Sequence, residues 1–185
     1  MNRPFSLEEA RRCGLTKHHL VGASWRRIGP GFYAWREIAD NPMVLLSVAR
    51  RRLGDSAVFS GCTAAWLHGL DMPPCDPVEV TLPPDSRITH MTGISIRRAE
   101  LLDGELSTRH DLRATSIVRT LADLGRRSSV VEAIAVLDAA LHRRFLKPNH
   151  LKAWLGRIRG FRAQRVFGEL SSWPSRLQRA SWKPG

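Results

Sequence analysis

Cysteine is scarce in this chain of 185 residues: Cys13, Cys62 and Cys75 are an odd set without paired spacing. That excludes a disulfide framework and points to a reducing compartment, the cytoplasm. Long apolar runs are also lacking, because the longest apolar-looking stretch, 130–141, carries Glu132 and Asp138 and is a poor membrane span. Residues 1–6 show no apolar segment after their positive charge, so no signal peptide is expected. Glycines are dispersed at turns instead of forming a phosphate-cradling loop, and neither a nucleophile-elbow motif nor an internal repeat is present. Cys62, His68 and Cys75 make a poor zinc set, since positions six apart on a helix do not share a face and a fourth ligand is lacking. These absences predict a protein that is not an enzyme and uses neither metal nor cofactor.

What the chain has in excess is positive charge, unevenly placed. At 43% hydrophobic and 25% charged it has the composition of a folded globular protein. The net charge is +12, with an isoelectric point near 11.2. Residues 1–36 hold seven Lys/Arg against two acids and residues 143–185 hold eleven against one, whereas residues 37–142 hold eleven against fourteen. A slightly acidic centre between basic ends favours a polyanion, nucleic acid ahead of an anionic membrane surface, over a general solubility charge.

The element pattern places that charge. Ser6-Leu7-Glu8-Glu9 is a capping box that opens a helix, and Gly14 ends it. Thr16 then caps a second helix running from Lys17 to about Gly22, a helix-turn-helix spacing in which Ala10 permits close crossing and Leu20 packs beneath. Trp25-Arg26-Arg27-Ile28, the turn Gly29-Pro30-Gly31, and Phe32-Tyr33-Ala34-Trp35 read as the two strands of a wing. Asn41-Pro42 starts an amphipathic helix that closes at Gly54. A short strand at 57–59, a helix capped by Ser60 and ended by His68, and alternating strands at 78–82 and 93–98 follow. From Thr115 the pattern becomes helical, with stripes Ile117, Leu121, Leu124 and Val130, Ile134, Leu137, Leu141, then further helices through Leu170. The predicted class is α+β: a winged helix-turn-helix over 1–38, a mixed region with a small sheet and several helices over 39–170, and a loosely ordered tail over 171–185.

For DNA, Thr16, Lys17, His18 and His19 stand near the start of the second helix, where a recognition helix meets base edges, while Arg26 and Arg27 suit phosphates. Arg157, Arg159, Arg162 and Arg165 offer further phosphate contacts, with a solvated helical face as the competing reading.

Several of these stretches together resemble the antitoxins of the abortive-infection E (AbiEi) type. They are the segment from Phe5 to Leu20, the wing, Ala64-Ala65-Trp66-Leu67-His68-Gly69-Leu70, Arg119-Thr120-Leu121-Ala122-Asp123-Leu124, and Leu137-Asp138-Ala139-Ala140-Leu141. The resemblance implies a DNA-binding antitoxin of a type IV toxin-antitoxin system. Such a protein represses its own operator and counteracts a nucleotidyltransferase-like toxin. It also implies another helix ahead of Phe5, where four residues stand here. Trp173-Pro174-Ser175-Arg176-Leu177 resembles the opening of a very-short-patch-repair-like endonuclease domain. With Gly185 so near, the later acidic metal ligands have no room, and the alternative expectation is an inactive remnant of such an endonuclease-associated protein. A third is an interaction module for a partner other than nucleic acid.

Overall fold

The computed structural model describes residues 3–71, 76–127 and 139–145. The chain enters through a two-residue strand, β1 (Phe5–Ser6), which sequence patterning did not foretell because it is too short to show alternation. Ser6 is also the cap of helix α1 (Leu7–Arg12): its Oγ accepts from the Glu9 amide at 3.1 Å, and Glu9 Oε2 accepts from the Ser6 amide at 2.6 Å. After Gly14, held at φ +76°, Thr16 caps helix α2 (Lys17–Leu20). Strands β2 (Trp25–Gly29) and β3 (Phe32–Trp35) form the expected hairpin, turning at Gly31 with φ +75° and bulged between Arg27 and Gly29.

The three strands make an antiparallel sheet in the order β1-β3-β2, with both helices inserted between β1 and β2. Phe5, Ala10 and Leu20 are its buried centre, ringed by Leu7, Leu15, Trp25 and Tyr33. Trp25 meets Phe5 and Trp35 edge-on, with ring centroids 5.1 and 4.9 Å apart. This arrangement agrees with the winged helix-turn-helix expected from the sequence.

Asn41 caps helix α3 (Pro42–Leu53), accepting from the Met43 amide at 2.9 Å, and proline takes the first turn, where its missing N–H costs nothing. Beyond it lie β4 (Val58–Phe59), α4 (Gly61–Leu67), β5 (Val78–Leu82), β6 (Ile94–Arg98), β7 (Leu106–Arg109), β8 (Leu112–Thr115) and α5 (Ile117–Arg127). The strands form a five-stranded mixed sheet ordered β6-β5-β4-β8-β7, parallel at β5/β6 and β4/β8 and antiparallel elsewhere. Leu46, Ala49 and Leu53 of α3 join Phe59, Val78, Val80, Leu82 and Ala114 in one buried cluster.

Three departures from the sequence pattern have physical causes. The hairpin β7–β8 went unread because its turn is His110-Asp111, both at positive φ, instead of the glycine-bearing pair that marks such turns. Strand β5 lies in the interior of the sheet, so Thr81 is buried along with Val78, Val80 and Leu82 and the expected alternation is lost. Helix α5 buries every residue from Thr120 to Gly125 instead of one stripe, because it packs against both α4 and β8. The second helical stripe expected from Val130 lies mostly outside the described residues. Among the described residues, no helix is long and apolar enough to cross a membrane.

Candidate functional site

The helix-turn-helix presents some of the expected residues and spends others on its own architecture. Thr16 and His19 cap one another: Thr16 Oγ1 accepts from the His19 amide at 3.4 Å, and His19 Nδ1 accepts from the Thr16 amide at 3.2 Å, histidine taking the place glutamate usually holds. Each keeps one polar edge for solvent. Lys17 and His18 are exposed between them, and their side chains make no hydrogen bond or ion pair among the described residues. The helix thus offers an ammonium and an imidazole from a turn whose backbone is already satisfied.

On the hairpin, Arg27 donates Nε–H to the Gly29 carbonyl at 3.3 Å, leaving its terminal amino groups available. Arg26 pairs with Asp40 across the surface. Exposed pairs of this kind stabilise by only about 0–1 kcal/mol, so a phosphate can take the carboxylate's place. Arg36, which sequence reasoning overlooked, donates to the Ala23 carbonyl at 2.5 Å and braces the loop after α2. Arg157, Arg159, Arg162 and Arg165, with the segment from Trp173 to Leu177, lie outside the described residues.

The mixed-sheet region holds several polar groups inside, His68 and Asp123 among them. His68 closes α4, as its sequence position suggested, and is only 5% exposed. Its Nε2 donates to the Thr115 carbonyl at 2.8 Å and its Nδ1 accepts from Arg109 Nε at 3.1 Å, which fixes a neutral tautomer and occupies both nitrogens. Burial, helped by the Arg109 charge and opposed by the Thr115 carbonyl, pushes its pKa down. Cys62, six positions earlier, is held through its backbone: its amide donates to Glu79 Oε2 at 2.6 Å, while Glu79 Oε1 pairs with Arg127 at 2.7 Å.

A second internal network joins α5 to the turn before β7. Arg119 bridges Asp123 at 2.9 Å and Glu105 at 2.7 Å, and Asp123 also accepts from Arg126 at 2.8 Å. Burial works against the Arg119 charge, but the two carboxylates outweigh it and raise the pKa further. The spacing Arg119 to Asp123 is a helical i, i+4 pair that the sequence does display; the partnership with Glu105 leaves no such trace. Both networks satisfy their own groups, and no buried side-chain polar atom among the described residues lacks a partner. A groove of about 520 Å³ lies between Leu82, Leu101 and Leu106, rimmed by Asp85, Glu100 and Arg113. Among the described residues, no cluster of three or more His, Cys, Asp or Glu has the placement to hold a metal.

Comparison with known proteins bears on the fold and the lineage. The crystal structure of the RV2827C protein from Mycobacterium tuberculosis matches with a TM-score of 0.59, covering 89% of this chain and 71% of that one, at 16% identity. That is a likeness of fold. No curated protein matches the sequence. The family described as the AbiEi antitoxin C-terminal domain matches residues 56–171.

Proposed function

The chain belongs to the AbiEi antitoxin C-terminal domain family, and from that premise we propose that it is a DNA-binding antitoxin that represses its own promoter. Residues 1–38 contact the operator. The region from residue 39 counteracts a nucleotidyltransferase-like toxin of a type IV system. The observation that carries the DNA-binding half is the exposure of Lys17 and His18 on α2 beside the arginine-bearing hairpin, in a module carrying seven Lys/Arg against three acids. His18 and Lys17 face base edges, with the free edges of Thr16 and His19 flanking them. Arg27, and Arg26 once released from Asp40, grip the phosphates on either side.

Footprinting on the promoter region tests this. Protection of a defined site at about 100 mM salt is expected, because specific contacts persist where purely electrostatic ones weaken. Absence of protection there refutes it. Arg26→Ala and Arg27→Ala are each expected to weaken binding to all sequences alike and to reduce the slope of log affinity against log salt by about 1.

The antitoxin half draws on family membership, and on polar networks that are internally satisfied, which leaves the surface of the sheet region for recognition. Co-expression decides it: the chain is expected to restore growth to cells expressing the nucleotidyltransferase-like toxin it is proposed to counteract, and unrelieved toxicity would count against it.

A further inference from the structure

Helix α3 has two working faces. Leu46, Ala49 and Leu53 enter the core of the mixed sheet, whereas Arg51 points the other way and meets three separate elements of the N-terminal module. Its NH1 donates to the Pro4 carbonyl, just ahead of β1, at 3.0 Å. Its NH2 donates to Glu9 Oε2 on α1 at 2.7 Å. The guanidinium carbon lies 4.9 Å from the centre of the Phe32 ring on β3. A planar fork can donate in two directions and stack at once, which an ammonium cannot.

The carboxylate it grips is the one that caps α1 through the Ser6 amide, so cap and junction share one group. The amide of Leu7, the first residue of α1, donates to the Gly31 carbonyl in the hairpin turn at 2.8 Å. The start of α1, the tip of the hairpin and α3 are therefore tied at one place, with Arg51 as the tie from the sheet side.

We propose that Arg51 is a positioning residue: by clamping Pro4, Glu9 and Phe32 to α3, it fixes the angle at which the helix-turn-helix and its hairpin are held out to DNA. This rests on the DNA-binding reading above, but the junction itself is testable without DNA. Arg51 does not touch the nucleic acid. Its loss therefore lowers operator affinity without lowering the salt slope, which a phosphate contact would change.

The full chain carrying Arg51→Met, Glu9→Gln or both is compared with the natural protein, well below the melting temperature of each. Amide exchange across residues 5–20 is expected to quicken about tenfold in each variant while β4, β5 and α4 are unchanged. Operator affinity is expected to fall about tenfold, affinity for random DNA and the salt slope to stay constant, and the double variant to be no worse than the poorer single one. Arg51→Lys, which keeps the charge opposite Glu9, should recover part of the loss. Unchanged exchange overturns the clamp whether or not the protein binds DNA. Quickened exchange with unchanged operator affinity overturns the positioning role, as does a salt slope reduced by about 1. If the natural protein gives no footprint, the DNA-binding reading fails and the positioning role falls with it, the clamp still being judged by exchange.

Discussion

In α2, the side chains of His18 and Lys17 stand exposed without a hydrogen bond or ion pair among the described residues, whereas at the end of α4 His68 is buried with both ring nitrogens bonded. The arginines divide the same way. Arg27 on the hairpin keeps most of its donors outward, while Arg119 in α5 spends its donors on Asp123 and Glu105. The N-terminal module has a small core centred on Phe5, Ala10 and Leu20 and leaves Lys17, His18 and most of Arg27 to solvent; the mixed-sheet region has a broad core whose buried polar groups are matched within it. Charge left in water is available to a partner at little cost to the fold, while charge taken out of water must be matched within the molecule.

Substitutions should therefore separate folding from binding according to region. The largest effect is expected from Asp123→Ala, which leaves Arg119 with Glu105 alone and takes from half-exposed Arg126 a carboxylate that is 5% exposed; the cost should approach, without exceeding, the about 3–5 kcal/mol of breaking a fully buried pair. Urea unfolding would read it, and a loss below about 1 kcal/mol would mean the network is more solvated than its burial implies. Gly61→Ala follows, because the residue lies at φ +55° and a Cβ there would overlap the Glu79 carboxylate. Left-handed strain alone costs about 1–3 kcal/mol, and displacing Glu79 also frees Arg127; the melting temperature should drop accordingly.

Acid should act through His68. Its folded pKa lies below the unfolded value of about 6.5, chiefly through burial. The unfolded chain therefore binds the proton more readily, and the contribution to stability is complete above pH 6.5 and declines as pH falls toward the folded pKa. A single proton sets a limit of about 1.4 kcal/mol per pH unit on that slope. Arg109 on β7 is the charged group facing the ring, and Arg143 approaches the neighbouring Gly69 carbonyl. His68→Gln, able to keep one donor and one acceptor, should flatten the melting profile between pH 7 and 5; an unaltered profile would assign the acid sensitivity to other groups.

Effects in the N-terminal module should be smaller on folding. Ser6→Ala removes half of the α1 capping box and should cost about 1 kcal/mol. Lys17→Ala should change unfolding by less than about 0.5 kcal/mol yet weaken operator binding and its salt dependence. A Lys17 variant that unfolds easily, or an Asp123 variant that folds normally but loses DNA, would erase the contrast between the regions.

Ser6 with Glu9, Thr16, and Asn41 with Pro42 announced three helix starts correctly, because capping is local chemistry written within four residues. Ala10 and Leu20 were legible as core for the same reason of short range. The β7–β8 hairpin was not legible, since His110-Asp111 lacks a glycine, nor was β1, whose only evidence is its pairing with β3, Phe5 with Tyr33 and Ser6 with Phe32, far along the chain. At the candidate interface, the sequence named Lys17, His18 and Arg27 as residue types suited to DNA. It could not say that Thr16 and His19 cap each other or that Arg26 faces Asp40.

The amino-acid order by itself determined where the chain turns helical, which segments alternate and how charge divides along its length, because each depends on neighbours a few residues apart. Tertiary structure alone decided which charges remain free. Arg51 meets Glu9 and Pro4 from 42 and 47 positions away, and Glu105 reaches Arg119 from 14. Such partnerships depend on how packed helices and strands bring distant residues into contact, and no local pattern encodes that.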